Sequence, residues 1–249
     1  MGKLFKYELH RLLANKFFAG LLIITLLYSY FVLNGDVILG VSNTAPFSGW
    51  SYGWFLTQIL PLLLVTVLFF VSFLFTNKEK QVQILVKATS VEYPRYMLFR
   101  CLAMVIGFLL ISAAVVLCSI VFYLITFKFV GLDALILPLL LTLLPPMFLA
   151  LGLGLVLGRL HQGTIYALMI MLLVLGQVPI AGLDLFGASF YAGHPLTIWE
   201  VSSIEPAFTV TTSFWLSRII ITGVGIALMV PGILLMTRIK KDKSITAAK

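Results

Sequence analysis

Of the 249 residues, 61% are apolar and 10% charged, and the mean hydropathy is +1.11, far outside the range of soluble domains. The chain therefore reads as an integral membrane protein. Its net charge of +8 would suggest a nucleic-acid partner in a soluble chain, but no basic patch outside an apolar run is interleaved with base-stacking aromatics, and no such partner is expected.

The first element is residues 3 to 16, KLFKYELHRLLANK. Leu4, Phe5, Leu9, Leu12 and Leu13 share one face of a helical wheel, with Lys3, Lys6, Arg11 and Asn15 off it. This predicts an amphipathic helix lying in the membrane interface. It is long for the basic region of a signal peptide, and no small-x-small cleavage site follows the next apolar run directly, so it reads as part of the mature protein.

Six apolar runs follow, near 17–33, 54–75, 101–127, 134–157, 164–180 and 214–236. Each is close to the ~20 residues that cross a ~30 Å hydrocarbon core. The expected fold is all-α, a single transmembrane domain over residues 1–249. The third run is longer than a crossing needs, while the first and fifth are short and draw on their flanks.

The second run carries Gln58 and Pro61, the fourth Pro145 and Pro146, the fifth ends at Gln177 and Pro179, and the sixth carries Pro231-Gly232. A proline frees a carbonyl that must be satisfied inside a bundle or at a wet cavity. Such kinks either serve packing alone or bend helices around a transport path. The run LGLGLVLG, with Gly152, Gly154 and Gly158, follows no strand and lies within a span, so it predicts close helix packing and no nucleotide loop. Cys101 and Cys118 share the third run about 25 Å apart, too far for a disulfide.

Between the second and third runs lies the longest charged interruption, residues 76 to 100. From Glu79 to Ser90, Val82, Leu85, Val86 and Thr89 recur at i, i+3, i+4 and i+7, with Lys80, Gln83 and Lys87 elsewhere on the wheel. A short amphipathic helix is expected, one face toward a partner and one toward water. Pro94 then stands where a first-turn proline is tolerated, so a new helix follows it. Residues 181 to 213 are too long and apolar for a mere turn, and Phe186, Phe190, Tyr191, Leu196, Ile198 and Trp199 predict short helices in or dipping into the interface. Asp184, His194 and Glu200 have no HExxH-like spacing and there are no thiols beside them, so they read as surface polar residues with no metal.

Sidedness accounts for the charge. With six spans and both termini cytoplasmic, only Lys128 and Arg218 of the 17 Lys and Arg fall outside, as the positive-inside rule requires. All 4 tryptophans, Trp50, Trp54, Trp199 and Trp215, fall at the outer boundary. No Asp, Glu, Lys, Arg or His lies near the middle of any run, and Arg218, about one turn into the last, reads as snorkelling outward. Ion-coupled carriers need intramembrane charges, so the energy source lies elsewhere.

The order Glu79, amphipathic turn, Leu85-Val86, Ser90-Val91 and then Arg100 at the head of a long apolar helix resembles the first cytoplasmic loop of ABC-2-type permeases. Ser90 stands where that family commonly has Pro, Gln83 where it has a small residue and Arg100 where it has Lys, and Pro94 comes later. The resemblance implies a coupling helix over residues 79–90 that docks on an ATPase, with Glu79, Val82, Leu85, Val86 and Arg100 as the coupling residues, Glu79 capping that helix or pairing with a basic residue. It also implies that the N-terminal helix is an elbow, and that re-entrant outer helices bearing Phe190, Tyr191 and Trp199 form a gate. On this reading Gln58, Pro61, Pro145, Pro146, Gln177 and Pro179 mark the path. The sequence holds no GxxxxGK[ST], so ATP and Mg would belong to two copies of a separate ABC ATP-binding subunit, with a second permease subunit, identical or not, beside this one. The implied function is export of an amphipathic peptide or bacteriocin, drug or lipid-like molecule across a bacterial-type cell membrane, with membrane lipids as neighbours and no cofactor bound by this chain. The alternatives are an ion-gradient transporter or an intramembrane enzyme. His10, His161 and His194 all map to membrane edges, which disfavours the latter.

Overall fold

A computed structural model describes residues 2–38, 48–77, 79, 81–83, 93–131, 133–177, 184–192 and 208–238. Every regular element among them is helical. The helices are α1 (Gly2–Leu13), α2 (Lys16–Val32), α3 (Gly49–Ser72), α4 (Tyr93–Phe127), α5 (Asp133–Leu160), α6 (Gln162–Gln177), α7 (Ala188–Ala192) and α8 (Thr212–Arg238). A π-helical turn, Leu33–Val37, extends α2, and a 3-10 turn, Phe73–Phe75, extends α3. With these extensions α2, α3, α4, α5 and α8 are each long and apolar enough to cross a membrane. The chain is a multi-pass membrane protein. The expected fifth run forms α6, whose 16 residues span only about 24 Å; positions 178–180, with Pro179, lie outside the described residues.

Local chemistry sets the boundaries. The Asn15 side chain accepts a hydrogen bond from Phe17 N at 3.1 Å, ending α1 and starting α2 in one residue. Ser48 does the same for α3, accepting from Ser51 N at 3.2 Å. Asp133 opens α5 and Arg159 lies in its last turn, each opposite the matching end of the helix dipole. Pro94 falls in the first turn of α4, where its missing N–H costs nothing.

α4 begins earlier than the apolar run suggests. Its 35 residues extend about 52 Å, and Tyr93 to Arg100 form two helical turns ahead of the membrane-length segment. Arg100 therefore stands inside a helix rather than at its mouth.

α3 is the axis of the bundle, most of its residues buried against α2, α4, α5, α6 and α7, whereas α2 and α8 are mostly unburied and present apolar faces outward. The most extensive pairing is α5 with α8. Its closeness rests on two glycines: a Cβ on Gly152 would strike the Gly225 carbonyl, and one on Gly225 would meet Leu149 N at 2.5 Å. A Cβ on Gly158 would meet Phe75 and Ile165, and one on Gly154 would meet Leu68 at 2.9 Å. The LGLGLVLG run is thus a packing surface on α5. Helices continue through Pro61 in α3, through Pro138, Pro145 and Pro146 in α5 and through Pro231 in α8. Cys101 is buried, Cys118 half-buried, and both are free thiols.

Candidate functional site

The two ends of the bundle differ in chemistry. At one end, where α3 runs out and α4 begins, four charged side chains converge. Glu8 comes from α1, Glu79 from the helical start of the 76–100 interruption and Arg100 from α4; they are 7%, 6% and 2% exposed. Arg11 of α1, 36% exposed, closes the group. Arg100 Nη1 pairs with Glu79 Oε1, and Arg100 Nε lies 3.4 Å from Glu8 Oε2. Arg11 Nη2 bridges the same two carboxylates, 3.0 Å from Glu8 Oε2 and 3.3 Å from Glu79 Oε2. Tyr96 OH donates to Glu8 Oε1 at 3.4 Å, and the Arg100 guanidinium lies over the Tyr96 ring at 5.5 Å.

Two carboxylates and two guanidiniums cancel in charge. Charges taken this far from water are tolerated only when each finds a partner, and here each carboxylate meets both arginines. The cluster joins α1, the base of the interruption and α4 by charge-assisted contacts.

Position 79 and positions 81–83 are helical. Gln83, expected to face water, instead turns inward: its amide donates to Leu74 O at 3.0 Å and its carbonyl accepts from Tyr93 OH at 3.0 Å. Val82, on the face expected to seek a partner, is 37% exposed. Leu85 and Val86 lie outside the described residues.

Glu8 and Arg11 are absent from the sequence-based set of site residues. The signal was present for Glu8, which lies three residues after Phe5 and four before Leu12 and so sits on the apolar face of α1. A carboxylate in that stripe calls for a buried cation.

The opposite end is an aromatic cap. Trp50, Leu141, Tyr191 and Phe214 are buried together, with Trp54, Phe190, Phe208 and Val210 packed on them. Phe190 stacks on Phe214 at 4.0 Å, and Tyr191 donates to or accepts from Thr142 at 2.8 Å while filling the space left by Gly53. Burial pushes the Tyr191 phenol up to about 12, the Thr142 hydrogen bond pulling the other way. Asp184 caps α7, accepting from Gly187 N at 2.8 Å and Phe190 N at 3.1 Å. Phe190 and Tyr191 thus meet in one cluster, while Trp199, His194 and Glu200 lie outside the described residues.

Arg218 corrects the expectation of an outward-snorkelling side chain, because it is 2% exposed. Its Nη1 donates to Leu185 O at 2.8 Å, its Nη2 to Asp184 O at 3.1 Å, and its guanidinium lies 4.4 Å from the Phe214 ring centre. The carbonyls of the 184–187 turn reach it first, so it folds under the cap instead of reaching for water. Gly187, at φ +91°, makes the turn that presents them.

The kink residues divide. Gln58 and Pro61 line a surface groove of about 350 Å³ with Ile24, Tyr28, Leu62 and Leu173, and Gly176 of α6 leaves room for the Pro61 ring. Pro145 and Pro146 are buried within α5 and do not line that groove. Gln177 ends α6. Among the described residues no group of three or more His, Cys, Asp or Glu could hold a metal.

Comparison with protein families, with curated proteins and with solved structures finds no match to this chain.

Proposed function

We propose that the chain is the membrane-spanning permease subunit of an ABC-2-type exporter, working with two copies of an ATP-binding subunit and a second permease subunit. The observation that carries this reading is the buried Glu79–Arg100 pair with its Glu8 and Arg11 braces. A displacement of Glu79 reaches α4 through Arg100 and α1 through Arg11, which also holds Glu8. A loop that only satisfied the positive-inside rule would have no use for a buried ion-pair joint at its base.

The remaining parts fall into place around that joint. α1 serves as the elbow, α6 with its flanking residues completes six spans, and both termini face the cytoplasm. Val82, Leu85 and Val86 dock on the ATPase, which supplies ATP and Mg. The Gln58–Pro61 groove, apolar apart from one amide and the Tyr28 hydroxyl, suits an amphipathic substrate, whether peptide, drug or lipid-like. Phe190, Tyr191 and Trp199 gate its outer end. The chain itself catalyses nothing and sits in a bacterial-type cell membrane. Purification of the tagged chain from its native membrane tests this: a P-loop ATPase should copurify, at one copy per permease subunit, and drive ATP-dependent efflux in vesicles. Transport driven by an ion gradient with no ATPase present would refute it.

A further inference from the structure

At the charged end, a cavity of about 200 Å³ opens between α1, α3 and α4. One ordered water needs only about 10–15 Å³ of such space, so the cavity has room for far more than one. Its lining is two-sided. Glu8, Arg11, Glu79 and Arg100 form one wall, while Leu12, Phe70, Phe73, Ala103 and Met104 form the other. Phe73 also belongs to the rim, where Phe17, 59% exposed, packs on Phe69 and Phe73 with ring centres 5.5 and 6.1 Å away. Asn15 also lines the cavity and immediately precedes the membrane-length helix that starts at Lys16, which places the opening at the end of a span, where headgroups give way to acyl chains.

We propose that this cavity binds the headgroup and glycerol region of an ethanolamine phospholipid from the adjacent leaflet. Charge complementarity selects it. The four charged walls sum to zero, so an anionic lipid would leave a net negative charge in a largely buried site, whereas a zwitterion keeps it neutral. Arg11 is the half-open member of the cluster: one guanidinium nitrogen, Nη2, holds both carboxylates, and the rest of the fork is available to a phosphate. Glu8 and Glu79 each have lone pairs beyond those used by the arginines, and a primary ammonium brings three N–H donors to them. A choline headgroup brings none. The apolar wall then receives the start of one acyl chain. The proposal does not depend on the exporter reading, since it uses only the cavity and its walls.

The test is native mass spectrometry of the full-length protein released from vesicles containing equal parts of phosphatidylethanolamine, phosphatidylcholine and phosphatidylglycerol. The wild-type chain should retain phosphatidylethanolamine at least about tenfold over the other two, a difference of about 1.4 kcal/mol. Arg11→Ala, which removes the phosphate's partner, and Ala103→Leu, which fills the apolar wall without altering charge, should each abolish the preference. Lys6→Ala, an exposed cation on the same helix that does not line the cavity, should keep it. Inorganic phosphate in excess should not displace the lipid. Equal retention of the three lipids by the wild-type chain overturns the proposal without recourse to any variant. Equal loss in Lys6→Ala, or displacement by phosphate alone, overturns it as well, by reducing the site to surface charge or to a simple anion pocket.

Discussion

Replacing Arg100 with Met tests whether the charged joint holds the bundle together. Arg100 is 2% exposed and faces both Glu79 and Glu8, so its loss leaves two buried carboxylates sharing one arginine, Arg11, that is itself 36% exposed. Removing one partner of a buried ion pair typically costs about 3–5 kcal/mol, because the abandoned charge keeps its desolvation penalty. Arg11 still faces both carboxylates at 3.0 and 3.3 Å, which points to the lower part of that range. The double variant Glu79→Met/Arg100→Met leaves the Glu8–Arg11 pair neutral and intact. It should therefore be less destabilised than the two single variants summed, by a coupling of about 1–3 kcal/mol. Reversible unfolding in mixed micelles, followed by far-ultraviolet circular dichroism, measures all three. A loss under about 1 kcal/mol for Arg100→Met, or strict additivity in the double variant, would mean that water reaches the cluster and the joint is slack.

Arg218→Met should free the cap: donor bonds from a charged group contribute about 1.5–3 kcal/mol, so amide exchange at 187–192 should quicken by about 10- to 150-fold, and unchanged exchange would refute the strap. The Tyr191 phenol is held protonated to about 12 while the unfolded chain releases its proton near 10, so stability is unaffected below pH 10 and falls between pH 10 and 12. Tyr191→Phe should show a shallower alkaline fall, and an identical one would remove Tyr191 from the account. With Cys101 and Cys118 replaced, single cysteines at exposed positions 133 and 211 should react with an impermeant thiol reagent outside intact cells, while those at 6 and 160 should not; labelling at 160 would invert the topology.

Membrane class and most helix limits were legible because they depend on runs of one chemistry. The 54–75 run lies within α3 and its turn, and the glycines of LGLGLVLG pack α5 against α8, α3 and α6, since small residues at close spacing have few other uses in a span. Glu79 and Arg100 were marked by the loop resemblance as ATPase-coupling residues, and the structure buries them and pairs them with each other. Glu8 was legible as a carboxylate in the apolar stripe of α1, but which cation it meets, and that Arg11 joins it there, are tertiary facts that no local period encodes. Arg218 was misread for a related reason. Its position one turn into a span fits snorkelling, but the carbonyls of Asp184 and Leu185 that capture it come from another segment. Gln83 was assigned to water by its polarity alone, although a side chain with both donor and acceptor can bridge Leu74 O and Tyr93 OH.

The central claim is that residues 79 to 90 transmit ATPase motion to the spans. Its most direct measurement compares the wild-type chain, Leu85→Ser/Val86→Ser and Glu79→Gln for ATPase copurification and for substrate-stimulated ATP hydrolysis. Interface energy concentrates in a few apolar side chains worth about 1–2 kcal/mol or more each, so the double variant should lose docking by about tenfold or more. Glu79→Gln keeps the docking face but weakens the pair with Arg100, so it should copurify normally and lose stimulation. Wild-type copurification and stimulation in the double variant would contradict the account.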